Sequence, residues 1–144
     1  MQEKVFIKKL HPAAKVPHKK HDTDACYDCH ATYMKDHGNG IIEYGLGFSL
    51  QPVNPMTKVT LKPRSSIYKT GLMLSNCVGV GDEGYTGEYR AFFYNIIPDL
   101  PNYEVGDRIL QIEIEGRRDI EFVQVEGLTP SDRGNGGFGS TGLR

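Results

Sequence analysis

The chain has 144 residues, and its 17 Lys and Arg against 18 Asp and Glu give a formal net charge of −1. Proteins that bind nucleic acid without sequence preference are normally basic, so the balanced charge argues against that class. No apolar run approaches the roughly 20 residues of a membrane span, and residues 1–5 lack the apolar stretch of a secretory signal. The three Cys, without an export signal, favour a reducing compartment. We therefore expect a cytoplasmic protein with neither a nucleic-acid nor a membrane partner.

Short apolar and β-branched segments recur along the chain, with Gly, Pro, Asn and Asp between them. They cover residues 5–10, 41–50, 59–61, 89–97, 108–115 and 121–126. Residues 109–115 come close to alternating apolar with polar or charged side chains, which predicts a strand with one face in water. A short helical turn is expected only at 66–72. The spacing predicts an all-β sandwich or barrel.

The two ends differ in composition from this body. Residues 8–21 carry five Lys, two Pro and the imidazoles of His11, His18 and His21, and are expected to form an exposed loop. The last stretch is too rich in Gly for a strand, and ordering it costs much backbone entropy. We divide the chain into a single β domain, residues 1–130, and a C-terminal arm, residues 131–144.

A C-x-x-C-H run at residues 26–30 admits three interpretations. It matches the attachment motif of c-type haem, but that chemistry needs an exported protein. Zinc is a second possibility, although no second C-x-x-C pair accompanies Cys26 and Cys29. In a regular strand these two thiols would lie on opposite faces. The favoured interpretation is two small buried thiols in a strand.

Two further segments are candidate sites. In the Gly-rich tail, backbone N–H groups together with Arg133, Ser140 and Thr141 are suited to phosphate, whereas a Walker P-loop is excluded because no Lys follows the glycines. An unfolded terminus is the alternative. Residues 79–88 predict a β-hairpin with Asp82 and Tyr85 near its turn. By pattern alone Asp82 is more simply a turn former than a base.

Taken together, these segments resemble the trimeric dUTPase family, with all five family motifs in order. Residues 24–31 resemble motif one, 63–66 (P-R-S-S) motif two, 76–87 motif three, 106–111 motif four and 133–142 motif five. The resemblance implies a jelly-roll-like β subunit of a homotrimer with active sites at subunit interfaces. A flexible arm of one subunit would close over a neighbour's site. The implied reaction converts dUTP and water to dUMP and diphosphate, which limits uracil in DNA and supplies dUMP for dTMP synthesis.

The resemblance also implies roles for individual residues. Asp82 would be the general base that activates water, and Asp28 would hold Mg²⁺ through water. Phosphate oxygens would be bound by Arg64, Ser65, Ser66 and Gln111, and by arm residues Arg133, Gly139, Ser140 and Thr141. Uracil would be recognised by the backbone of Gly79, Val80, Gly81 and Asp82, with Asn76 in support. Tyr85 would exclude a 2′-hydroxyl, and Phe138 would stack on the base.

Four positions depart from the family pattern. Cys26 stands where Gly is usual, Cys29 where Leu is usual, and Thr86 where Arg is usual. Gly81 replaces a branched Ile, and we expect it to loosen the backbone that carries Asp82. Three alternatives remain: a dCTP deaminase-like enzyme of the same fold, a nucleotide-gated regulatory binder with little turnover, and a purely structural trimer.

Overall fold

The structure is a computed structural model that describes residues 3–142. Within that range it contains ten strands and one short 3-10 helix, which confirms the all-β prediction. The strands are β1 (Val5–Lys9), β2 (Tyr27–His30), β3 (Tyr33–Gly38), β4 (Ile41–Gly45), β5 (Phe48–Pro52), β6 (Thr57–Pro63), β7 (Leu72–Leu74), β8 (Gly79–Gly81), β9 (Arg90–Asn95) and β10 (Arg108–Gly116). The 3-10 helix, Ser65–Lys69, is close to the predicted helical turn.

All strand pairs are antiparallel, and they form three sheets. A two-stranded sheet pairs β1 with β5, one four-stranded sheet has the order β2-β10-β6-β8, and the other has the order β3-β4-β9-β7. Because neighbours in the sheets are mostly distant in sequence, the chain crosses repeatedly between layers. This arrangement is jelly-roll-like.

The core lies between the two four-stranded sheets. Tyr44, Phe48 and Phe93 are fully buried, and the rings of Tyr44 and Phe93 meet edge to face at 5.5 Å. The hydroxyl of Tyr44 donates a hydrogen bond of 2.8 Å to the carbonyl of Tyr103, so this buried polar group has a partner. These contacts pack the neighbouring strands β4 and β9 against each other within one sheet, and the ring of Tyr103 packs against both aromatic rings.

Strand β10 is the central element for the site because it pairs with β2 on one side and β6 on the other. Leu110 and Ile112 are buried while Glu113 is partly exposed, as the predicted alternation requires. Its pairing with β2 is shifted by a bulge at Ile109, between Arg108 and Leu110. The bulge makes both Ile109 and Leu110 buried.

The segment 121–126, which was expected to be a strand, forms none. The last strand ends at Gly116, and residues 117–135 are exposed, with the side chains of Phe122 and Leu128 almost entirely in contact with solvent. Its alternation alone is insufficient, because a strand needs a neighbour to complete its backbone hydrogen bonds, and this segment has none within the described part of the subunit. Residues 143 and 144 of the predicted arm lie outside the described range. Nowhere in residues 3–142 is a helix long and apolar enough to cross a membrane.

Candidate active site

A polar cleft of about 300 Å³ lies where β2, β10 and the end of β6 meet. Four residues that the sequence motifs assign to phosphate or metal line it together: Asp28, Arg64, Ser65 and Gln111. Arg108, Lys20 and His21 line the same cleft, and the sequence assigned none of these three a role at a site. Ser66 lies beside it, with its hydroxyl 3.4 Å from a guanidinium nitrogen of Arg64.

The carboxylate of Asp28 is bound by two guanidinium groups at once. Arg64 donates from Nε to Oδ1 at 2.9 Å, and Arg108 donates from a terminal nitrogen to Oδ2 at 2.9 Å. Only 17% of the Asp28 side chain is exposed, so these charge-assisted bonds are partly shielded from water. The cleft therefore presents two oriented guanidinium groups that a polyphosphate can bind.

The β10 bulge explains how Arg108 and Gln111 reach the same cleft. Side chains three residues apart point to opposite faces of a regular strand, and the extra residue Ile109 brings these two to the same side. Gln111 then donates from Nε2 to the carbonyl of Pro63 at 2.9 Å, which fixes its amide beside Arg64.

The residues of this cleft suit magnesium bound mainly through water and substrate phosphates. Residues 3–142 hold no group of three or more Asp, Glu, His or Cys able to ligate a metal. The bonded Asp28 oxygens each retain acceptor capacity for a metal-bound water. Magnesium in nucleotide enzymes keeps several waters and uses one or two carboxylates plus phosphates. The donor set fits that mode and excludes a closed protein cage.

The two thiols near this cleft differ from the predicted pair of buried cysteines. Cys29 is buried in β2, and burial raises the pKa of its thiol well above the usual range. Cys26 precedes the strand, is only partly buried and lines the cleft beside Asp28. Burial raises the pKa of Cys26 as well, which disfavours a free thiolate there. Within residues 3–142 no group of three or more His, Cys, Asp or Glu that could ligate zinc includes these thiols.

A second cleft, of about 330 Å³, lies beside β8 and shares no lining residue with the first. It is lined by the predicted nucleoside residues Asn76, Gly79, Val80, Gly81, Asp82 and Tyr85, together with Tyr89. Asp82 follows β8 directly, and its carbonyl accepts a hydrogen bond of 2.9 Å from the backbone N–H of Tyr85. This tight turn places the Asp82 carboxylate and the Tyr85 ring on one rim.

The predicted hairpin at 79–88 is not formed. β8 pairs with β6, whereas the next strand, β9, pairs with β4 and β7 in the other sheet. The turn after Asp82 therefore carries the chain from one sheet to the other. Short loops that change sheets share the Gly and Asp content of hairpin turns, so composition could not distinguish the two.

The space beside Gly81 is filled, contrary to the expectation of a loosened backbone. A Cβ atom on Gly81 would lie 2.8 Å from Cε1 and 2.9 Å from Cζ of Tyr89, with the phenol oxygen closer still. Gly81 also keeps its place opposite Val59 in the β6–β8 ladder. Burial raises the pKa of Tyr89 to about 12, so its hydroxyl stays protonated at neutral pH.

The arm residues are not part of either cleft in the same subunit. Arg133 donates from Nε to the carbonyl of Gly136 at 2.8 Å, within a local turn, and Phe138 is fully exposed. Phe138 and three glycines of the arm have positive φ. Neither cleft contains a lining residue beyond Gln111.

An all-β chain with one cleft built around paired guanidinium groups and another lined by strand backbone is suited to binding a nucleotide. A family model described as dUTPase matches residues 13–142. The deoxyuridine 5′-triphosphate nucleotidohydrolase of Helicobacter pylori is 32% identical over 144 residues, with 97% of each chain covered. That of Clostridium acetobutylicum is 33% identical over 142 residues, with 96% of each covered.

Solved structures agree on the fold. The dUTPase of Staphylococcus bacteriophage 80alpha, determined with dUPNHPP, superposes with a TM-score of 0.83 at 24% identity, covering 97% of this chain and 99% of that one. The chain therefore belongs to the dUTPase family. Membership confirms the enzyme class predicted from the motifs, a dUTP diphosphatase, over the deaminase alternative.

Proposed function

We propose that the protein hydrolyses dUTP to dUMP and diphosphate, with water attacking the α-phosphorus. The observation that carries this proposal is the separation of two complementary half-sites on one subunit. One cleft offers Arg64, Arg108 and Gln111 to phosphates, and the other offers β8 backbone and Asp82 to a nucleoside. Family membership adds the substrate.

Asp82 is the general base in this proposal. Its carboxylate lies at the end of β8, in a turn closed by the hydrogen bond from Tyr85 N–H. From this rim it accepts a proton from the attacking water, which becomes the nucleophile. Glu83, the next residue, anchors the turn. Its carboxylate accepts hydrogen bonds from the backbone N–H of Met56 at 3.0 Å and from Arg117 Nε at 3.0 Å.

The phosphate cleft binds and polarises the triphosphate. The guanidinium groups of Arg64 and Arg108 stabilise negative charge that develops on phosphate oxygens, and Ser65, Ser66 and Gln111 add neutral donors. Asp28 holds both guanidinium groups in place and is the residue that would hold Mg²⁺, through water. Mg²⁺, when bound, would supply positive charge to offset that of the leaving diphosphate.

Base and sugar selection belong to the second cleft. Backbone groups of Gly79, Val80 and Gly81 would pair with the uracil edge, supported by the Asn76 amide. The Tyr85 ring would occupy the space that a 2′-hydroxyl needs. The ring is held in place because its own hydroxyl donates a hydrogen bond of 2.7 Å to the carbonyl of Glu88. UTP is thereby excluded.

The complete site needs more than one subunit in this proposal, as a homotrimer provides. The nucleoside cleft of one subunit would face the phosphate cleft of a second, and the arm of a third would cover both. The exposed apolar side chains of 120–128 support such packing, because large apolar groups in contact with water are costly for a monomer. Arg133, Gly139, Ser140 and Thr141 would then close on the phosphates, and Phe138 would stack on uracil.

The test combines turnover with assembly. We expect release of dUMP and diphosphate from dUTP in the presence of Mg²⁺, abolished by a chelator, and a trimeric mass by light scattering. Mixing an Asp82→Asn chain with an Arg64→Ala chain should restore activity, because mixed trimers contain sites with neither defect. A monomer with full activity, or no recovery on mixing, would overturn the shared site.

The cytoplasmic location expected from the sequence remains a prediction.

A further inference from the structure

Tyr89 lies directly behind the turn that carries Asp82. It is 3% exposed, and its hydroxyl has no hydrogen-bond partner among the described residues. Both of its backbone groups are fixed: its N–H donates to the carbonyl of Phe48 at 3.0 Å, and its carbonyl accepts from the N–H of Leu46 at 3.0 Å. The ring itself belongs to the hydrophobic core cluster, with its centroid 6.3 Å from that of Phe48, and it also forms part of the cleft lining.

This fixed ring touches two parts of the nucleoside cleft. On one side it occupies the position of a side chain at residue 81, so that only Gly fits there. On the other side it meets the ring of Tyr85 edge to face, with centroids 5.3 Å apart and an interplanar angle of 82°. Tyr89 thus contacts the residue that precedes Asp82 and the residue proposed to exclude the 2′-hydroxyl.

We propose that Tyr89 is a positioning residue that sets sugar selectivity and aligns Asp82. Its ring replaces the missing side chain at residue 81 and supports the Tyr85 ring against movement away from the sugar. The inference rests on the proposed function, because it deepens the role of Tyr85 in rejecting UTP. Gly81 and Tyr89 act as one unit, and a substitution at either must be matched at the other.

The unpartnered hydroxyl of Tyr89 allows the role of its ring to be tested separately from a general loss of core packing. Because the hydroxyl has no partner, Tyr89→Phe removes no hydrogen bond and keeps the supporting ring. Tyr103 offers a matched control, since it is also a core Tyr, 7% exposed, with an unpartnered hydroxyl, but it does not line the nucleoside cleft. Tyr103→Val opens a comparable cavity away from Tyr85.

The experiment measures kcat and KM for dUTP and UTP together with Tm. We expect Tyr89→Val to reduce the dUTP-to-UTP ratio of kcat/KM by at least about 10-fold, with kcat for dUTP lowered, because the supporting ring is gone. Tyr89→Phe should retain the ratio within about threefold. Tyr103→Val should lower Tm without changing the ratio.

The pairing of Gly81 with Tyr89 is tested independently of catalysis. Gly81→Ile should lower Tm sharply, since its Cβ overlaps the Tyr89 ring, and adding Tyr89→Val should recover at least half of that loss. If the double variant does not recover this loss of Tm, the inference that Gly81 and Tyr89 act as one unit is overturned.

The selectivity outcomes separate this inference from the proposed function. If the unsubstituted protein does not hydrolyse dUTP, the proposed function fails, and the same ratio is then measured as dissociation constants for dUTP and UTP. If it is selective and Tyr89→Val remains equally selective, only the role of Tyr89 is overturned. An equal loss of selectivity in Tyr103→Val would also overturn it.

Discussion

Arg64 and Asp28 are joined by a hydrogen bond of 2.9 Å, although they are 36 residues apart. Asp28 lies in β2 and Arg64 directly follows β6, two strands that are not neighbours in the sheet. Strand β10 lies between them and adds Arg108 to the same carboxylate. Asp28 therefore connects β2, β10 and the end of β6 at the edge of the phosphate cleft. Its negative charge offsets the repulsion between the two guanidinium groups and holds both of them at the cleft.

Asp28→Asn should weaken both the fold and the phosphate cleft. An amide removes the negative charge that both guanidinium groups share and puts an NH2 donor in place of one acceptor oxygen, so we expect the free energy of unfolding to fall by about 1.5–3 kcal/mol. The Mg²⁺ concentration for half-maximal activity should rise. Chemical denaturation and a magnesium titration provide the two measurements.

Glu113→Gln is the matched control for this substitution. Glu113 lies on β10 and pairs with Lys62 on the exposed part of the same sheet. Exposed pairs contribute about 0–1 kcal/mol, so stability and the magnesium titration should change little. If both variants behave alike, Asp28 has no special role.

Asp82→Asn should abolish turnover and leave binding intact. The amide keeps the shape of the side chain but cannot accept the proton from water, so kcat should fall by about 10²- to 10⁴-fold. The dissociation constant for a non-hydrolysable dUTP analogue should stay within a few-fold of the original. Asp99→Asn, in an exposed turn that lines neither cleft, should retain kcat; persistent turnover in Asp82→Asn would remove Asp82 from the role of base.

Phe138→Ala should raise the KM for dUTP without lowering the stability of the folded chain. Phe138 is fully exposed, so its removal costs no core packing and Tm should be unchanged. Loss of a stacking contact of about 1–3 kcal/mol predicts a rise in KM for dUTP of about 5- to 150-fold. Phe138→Tyr, which keeps the ring, should behave as the original chain. An unchanged KM in Phe138→Ala would contradict the closing arm.

Protonation of His30 should destabilise the fold on mild acidification. Burial lowers the pKa of His30 below its usual 6.5, with Lys15 and His18 adding to the effect. The unfolded chain therefore binds a proton before the folded one does, and stability falls as the pH drops below about 6.5. His30→Gln should reduce the slope of unfolding free energy between about pH 7 and 5.5. Glu43 and Glu115 have lowered pKa values and affect only more acidic conditions, so an unchanged slope would contradict this role.

The sequence predicted the class of fold because alternation on a strand is local. Residues 109–115 contain enough apolar side chains on one face to predict β10. The bulge at Ile109 could not be predicted from the sequence, since it is defined only by how β10 pairs with β2. Without it, Arg108 could not be assigned to the cleft that holds Gln111.

Long-range contacts account for the other differences. From the sequence, Gly81 in place of Ile predicted an unfilled space and a loosened backbone. The residues next to Gly81 in the sequence do not show that the ring of Tyr89 fills this space. Residues 121–126 are rich in apolar and β-branched side chains, although they alternate less cleanly than 109–115, and strand formation also requires an adjacent strand. Motif order, by contrast, was sufficient to associate Asp28, Arg64 and Gln111, which the structure places along one cleft.

The measurement that tests the central claim most directly is a hydrolysis panel of dUTP, UTP, dTTP and dCTP with Mg²⁺, in which nucleotide product, diphosphate and ammonia are followed. We predict conversion of dUTP alone to dUMP and diphosphate, with no reaction after chelation. Ammonia from dCTP, equal turnover of UTP, or tight dUTP binding without any product would contradict the account.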